Sequence, residues 1–132
     1  MNERQLINKI HRTLDKRIYR WKINDSYHGG VPDTYYAGPA GLCFVEYKYK
    51  PNTPKKGTSK MNFLLTDQQQ VWLTQQREYK VPVFVLAGCK EHFIFTQEFE
   101  RINGCTKDEL LKNSISLKEY IAKIEKHCLG NK

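Results

Sequence analysis

The chain has 132 residues, and 22 Lys and Arg against 14 Asp and Glu leave a formal charge of +8. Hydrophobic residues make up 39% and aromatics 12%, enough for a compact core and too much for a disordered basic tail. The longest apolar run, Val81 to Ala87, falls far short of the ~20 residues of a membrane span, and Met1-Asn2-Glu3-Arg4 does not begin a secretory signal. The expectation is a single folded, cationic domain over 1–132, cytoplasmic and without a membrane partner.

In chain order, Asn2 can cap a helix in which Leu6, Ile10 and Leu14 form an apolar stripe beside a basic face, ending before Tyr19. Alternation from Ile18 to Ile23 predicts a short strand, and His28-Gly29-Gly30 a turn. A second strand is expected over about Val31 to Ala37. Gly38-Pro39-Ala40-Gly41 then makes a tight hairpin into a third, Leu42 to Tyr49, rich in aromatic and β-branched residues. Thr66-Asp67-Gln68-Gln69 reads as a capping box that opens a helix to about Tyr79. Val81 to Ala87, then Gly88 to Glu91 as a turn, then Phe93 to Thr96 supply two more strands. Capping boxes at Thr106 to Glu109 and Ser116 to Glu119 open two last helices, the second with Leu117, Tyr120, Ile121 and Ile124 on one face. This order gives an α/β fold in layers: a mixed central sheet of about five strands flanked by helices.

Cys43, Cys89, Cys105 and Cys128 show no CxxC pair and no His at a zinc-finger spacing, so reduced, mostly buried thiols are expected. His28 and His92 read as turn residues. The charge is uneven. Residues 1 to 22 hold seven Lys or Arg against Glu3 and Asp15, and Tyr47 to Thr66 holds five Lys and no acid among Pro51, Pro54, Gly57 and Ser59. The second stretch reads as a mobile cationic loop, and a polyanion should approach the first half of the chain.

The chemistry concentrates between Asp33 and Lys48. Residues two apart on a strand share a face, so Glu46 and Lys48 point one way and Val45, Tyr47 and Tyr49 the other. A short hairpin brings Asp33 alongside the end of the third strand. Two carboxylates and an ammonium then converge, an incomplete oxygen cage of the kind that holds Mg²⁺ at a phosphodiester. Taken separately, Asp33 after Pro32 is equally a turn residue, and an acid two residues before a lysine is a common surface ion pair.

Gly30-Val31-Pro32-Asp33 followed by Glu46-Tyr47-Lys48 resembles the PD-(D/E)XK nuclease signature. Leu65-Thr66-Asp67-Gln68-Gln69-Gln70-Val71-Trp72-Leu73 resembles the helix motif of its virus-type replication-repair (VRR-NUC) branch. The similarity spans about Glu3 to Ala87 and is nearest to small stand-alone phage-type members, which would place the chain in a host cytoplasm. It implies a three-layer, restriction-endonuclease-like core. It also implies a metal-dependent, structure-selective DNA endonuclease, with Holliday-junction resolution as one form and a homodimer as the assembly. Asp33, Glu46 and the Tyr47 carbonyl would bind Mg²⁺ or Mn²⁺, and Lys48 would assist the attacking water. By the same comparison Glu3 completes the metal site or else complements the helix dipole, and Gln69 contacts the attacking water or phosphate or else serves the capping box, one amide being unable to do both. Lys50, Lys55, Lys56 and Lys60 would contact phosphates of branched DNA. A non-catalytic nucleic-acid-binding module and an RNA-processing nuclease are the alternatives.

Overall fold

The computed structural model describes residues 1–24 and 29–130. Ten elements follow one another: α1 (Glu3–Thr13), β1 (Tyr19–Lys22), β2 (Thr34–Gly38), β3 (Gly41–Lys50), α2 (Asp67–Glu78), β4 (Val83–Cys89), β5 (His92–Thr96), α3 (Glu100–Asn103), α4 (Lys107–Asn113) and α5 (Leu117–Leu129). The strands form one sheet in the order β1-β2-β3-β4-β5. The β3–β4 pair is parallel and the other three pairs are antiparallel. The parallel pair follows from the long connection through α2, since only a crossover can return the chain in the same direction. The mixed sheet expected from the element order is therefore present.

Local sequence signals account for most boundaries. Four helices open on reciprocal capping boxes: Asn2 with Gln5, Thr66 with Gln69, Thr106 with Glu109 and Ser116 with Glu119. Each satisfies two backbone donors that the first helical turn leaves free. Pro82 delays β4 to Val83, because it has no N–H to give to a ladder. The hairpin from Gly38 to Gly41 closes with those two glycines paired, and its Ala40 N–H donates to the Cys128 carbonyl at 2.8 Å, tying the turn to the end of α5.

Two cores lie on the two faces of the sheet. On one, Leu6, Ile7 and Ile10 of α1 and Tyr120, Ile121 and Ile124 of α5 pack on Tyr36, Val45 and Tyr47. On the other, Leu73 of α2, Phe99, Ile102 and Leu110 pack on Val83, Val85, Ala87 and Cys89. The alternation predicted for the third strand holds, with Val45 and Tyr47 fully buried on the α1/α5 face. Cys43, Cys89, Cys105 and Cys128 are free and buried.

Three expectations need correction. The segment from 51 to 66 is irregular but not a free loop: Met61, Phe63 and Leu65 alternate into the second core. Backbone bonds from Met61 to Cys105, from Lys107 to Ser59 and from Asp108 to Gly57 pin it to α4. A period-two apolar pattern hidden behind the lysines outweighs their composition. His92 is the first residue of β5, not a turn residue, with Nδ1 3.1 Å from Ser114 Oγ; the turn is made by Lys90, whose φ of 55° takes the left-handed form. His28 lies outside the described residues. A short helix, α3, also precedes Thr106 where none was placed.

Candidate active site

The site is built where two strands part. The β2–β3 register ends at Thr34 opposite Val45, while β3 continues to Lys50. Beyond that fork, β3 would show unpaired N–H groups on its β2 side. Carboxylates take them instead: Asp33 Oδ2 accepts from the Tyr47 N–H at 2.9 Å, and Glu3 Oε1 accepts from the Tyr49 N–H at 3.1 Å. Within a strand, the N–H and C=O of one residue point to the same side, so the Tyr47 carbonyl also faces Asp33.

Glu46, the residue of β3 next in register to Asp33, points to the α2 face and is only 3% exposed. Its Oε2 accepts from Gln69 Nε2 at 2.9 Å and lies 3.5 Å from Lys48 Nζ. Its Oε1 is buried without a hydrogen-bond partner. Burial, with the neighbouring Asp33 carboxylate next, pushes the Glu46 carboxyl up to about 8, against the pull of Lys48. Asp33 is also raised by burial, offset by the Tyr47 N–H and by Lys48. Glu3 is raised by burial and by Asp33. Three acids thus crowd one place where a carboxylate is expensive to keep charged.

Gln69 joins the cap of α2 to the acids. Its Oε1 accepts from the Thr66 N–H at 2.9 Å to complete the capping box, while its Nε2 donates to Glu46. An amide has separate donor and acceptor ends, so Gln69 serves the capping box and at the same time reaches Glu46. The other residues of the helix motif fix this aim: Leu73 is fully buried, and the Trp72 ring stands edge-on to Phe44 at 5.5 Å. From the far side, Gly30 brings the β1–β2 connection onto α2. Its φ is +89°, and a Cβ there would lie 2.3 Å from the Gln68 carbonyl oxygen, so only glycine fits.

The structure brings Asp33, Glu46, Lys48 and Gln69 together, places Glu3 at their rim and turns the Tyr47 carbonyl toward them. Lys50 closes β3, and Lys55, Lys56 and Lys60 are exposed along the segment pinned to α4. Among the described residues, no three His, Cys, Asp or Glu side chains cluster tightly enough to hold a metal ion by themselves. The donor set is instead a carboxylate pair with a peptide oxygen. The partnerless Glu46 oxygen fits a cation there: a buried acceptor with no donor costs about 1–3 kcal/mol, more when charged, unless something positive reaches it.

Sequence reasoning missed a groove of about 460 Å³ beside the pair, where Arg4, Lys22 and Asn24 line the wall with Glu3 and Asp33. Both cations were counted in the basic first block, but only the packing of α1 on β1 brings residue 22 against residue 4. A buried hydroxyl chain was also invisible. His11 Nε2, Tyr36 Oη, Tyr47 Oη and Tyr120 Oη follow one another at 2.8, 2.7 and 2.7 Å and anchor the residue whose peptide holds Asp33.

No helix among the described residues is long and apolar enough to cross a membrane. No protein-family model matches the chain, and no curated protein does either. Among solved structures, the fold is similar to Hjc, a Holliday junction resolvase from the archaeal hyperthermophile Archaeoglobus fulgidus, at 16% identity and a TM-score of 0.56, over 92% of this chain and 97% of that one. The similarity in fold extends across nearly the whole of both chains.

Proposed function

We propose that this chain is a divalent-metal-dependent, structure-selective DNA endonuclease that hydrolyses phosphodiester bonds. The observation that carries this reading is a buried Glu46 with one oxygen unpartnered, set against Asp33 and beside Lys48 in a chain of charge +8. Glu46, Asp33 and the Tyr47 carbonyl would hold Mg²⁺ or Mn²⁺, hard cations that prefer oxygen donors. Such an ion would supply the charge that phosphoryl transfer to water requires and would acidify the attacking water.

The chain's own side chains do the rest. Lys48, its side chain 20% exposed, can orient the water and offset charge developing on the phosphoryl oxygens. Gln69 holds Glu46 in one rotamer through its Nε2, and the capping box holds Gln69. Glu3 caps the open edge of β3 and narrows the approach to Asp33. Lys50, Lys55, Lys56 and Lys60 would position duplex arms by their phosphates without reading sequence.

The place in the VRR-NUC branch rests on the Leu65–Leu73 segment that opens α2, whose Thr66, Gln69, Trp72 and Leu73 each have a structural task. The junction as substrate rests on similarity of fold to a resolvase, and a homodimer would be needed to cut two strands symmetrically. The test is cleavage of labelled four-way junction, flap, duplex and single-stranded DNA, with RNA counterparts, in Mg²⁺. Branched DNA should be nicked by the wild type and left intact by Asp33→Asn, Glu46→Gln and Lys48→Ala. Tight binding without nicking would leave a non-catalytic module, and preferential loss of RNA would make this an RNA nuclease. Equal activity in all three variants would place the chemistry elsewhere.

A further inference from the structure

The α2 face of the sheet is covered by helices over β4 and β5 but carries no helix over β1 and β2 among the described residues; no residue of β1 or β2 belongs to the second core. What it shows there is aromatic. Trp21 and Tyr35 are cross-strand partners, as are Tyr35 and Phe44, so their side chains share that face. Ring centroids run Tyr19 to Tyr35 at 6.3 Å, Trp21 to Tyr35 at 6.3 Å, Tyr35 to Phe44 at 5.0 Å and Phe44 to Trp72 at 5.5 Å. The inner end of this row is half-buried, but Trp21 is 49% and Tyr19 60% exposed.

The row is continuous with the candidate centre. Tyr35 is two residues from Asp33 and Phe44 two from Glu46, on the same side of their strands, about 7 Å along the sheet. We propose that Trp21, with Tyr19 and Tyr35, is a stacking platform for unpaired nucleobases next to the cleavage site. The proposal rests on the reading of the chain as a nuclease of branched DNA, and it adds that the bases freed at a branch are held here.

Charge selects the occupant. From Lys16 to Ile23 the chain carries Lys16, Arg17, Arg20 and Lys22 and no acid. Arg17 pairs with Asp15 at 2.8 Å, while Arg20, held on the carbonyls of His11, Leu14, Asp15 and Ile18, and Lys22, which donates to Asn8 Oδ1, alternate with the aromatics and turn to the α1 side of the strand, so their charge reaches the aromatic face as a field and not by contact. A second copy docking here by a two-fold axis would bring two such positive fields together, which opposes it. A nucleic-acid strand offers the opposite charge together with flat apolar faces, and stacking of a base on an aromatic ring is worth about 1–3 kcal/mol.

The test measures binding without cleavage. In EDTA, anisotropy of a labelled single strand and of a duplex of equal length is compared for wild type, Trp21→Ala, Trp21→Phe and Tyr19→Ala, with circular dichroism to show that each folds. Trp21→Ala should weaken single-strand binding about 5- to 150-fold, Trp21→Phe should keep most of it, and duplex binding should change little. With Trp72→Phe as background, the single remaining tryptophan should be quenched by the single strand. Unchanged single-strand affinity, or equal loss for duplex and single strand, would overturn the platform. So would a shift of Trp21→Ala from dimer to monomer in sedimentation, because the face would then belong to a second copy. Nicking of branched DNA is scored separately: wild type that nicks while Trp21→Ala binds normally sinks the platform alone, and wild type that never nicks sinks the nuclease reading alone.

Discussion

Replacing Glu46 by glutamine should change the pH dependence of stability more than any other single substitution in this protein. The carboxyl is raised from 4.5 to about 8, first by burial and then by Asp33. The folded state therefore binds a proton that the unfolded chain has released over that interval. Stability is fully present below about 4.5 and is lost as pH rises through about 8. At about 1.4 kcal/mol per pH unit, the loss has a ceiling of roughly 4–5 kcal/mol, reduced by whatever water and side-chain movement reach the site. Glutamine has the same shape and no charge to lose. Urea unfolding in EDTA between pH 5 and 9 should show wild-type stability falling and Glu46→Gln nearly flat above pH 6, with the variant the more stable at pH 9. Adding Mg²⁺ or Mn²⁺ at pH 8 should raise the melting temperature of the wild type and not of the variant. Parallel curves for the two proteins across that range would refute the reasoning, since Glu46 would then ionise as an exposed acid does.

Gln69→Ala removes a cap contact and a bond to Glu46, and should cost about 2–4 kcal/mol by urea unfolding; Thr66→Ala, which removes the cap alone, should cost about 1 kcal/mol. Tyr47→Phe leaves the Tyr120 hydroxyl buried beside an apolar ring edge and breaks the chain to His11, for a loss of about 1–3 kcal/mol in the same assay. Phe63→Ala should destabilise by about 3–5 kcal/mol because the segment that carries it is core. Paired Lys55→Ala and Lys56→Ala should leave stability unchanged and lower the dependence of DNA affinity on salt by about one to two ions. A flat salt response in the wild type would mean that these lysines never touch DNA.

The local half of this protein is legible in short stretches of chain. Capping boxes at Thr66, Thr106 and Ser116, glycines at the 38–41 hairpin and the alternation of β3 act over three or four residues, so every helix but α3, the strands and the mixed sheet could be read before any fold was known. That Glu46 and Lys48 share a face follows from the pleat alone. The short hairpin put Asp33 beside them and the resemblance to a nuclease signature agreed, but neither showed where β2 would leave β3.

What surrounds them depends on how distant elements pack. The fork that hands the Tyr47 and Tyr49 N–H groups to Asp33 and Glu3, the orphaned oxygen of Glu46 and the double use of Gln69 depend on elements far apart in the chain. Composition misled at residues 61–65, where lysines and prolines nearby mask three core side chains, and it did not show which aromatics would remain uncovered. Tyr36 and Tyr47 went inside while Trp21 and Tyr19 stayed out, because α1 and α5 cover one face of β1 and β2 and no helix among the described residues covers the other. Desolvation is set by the whole set of neighbours, and a one-dimensional string records only the nearest of them.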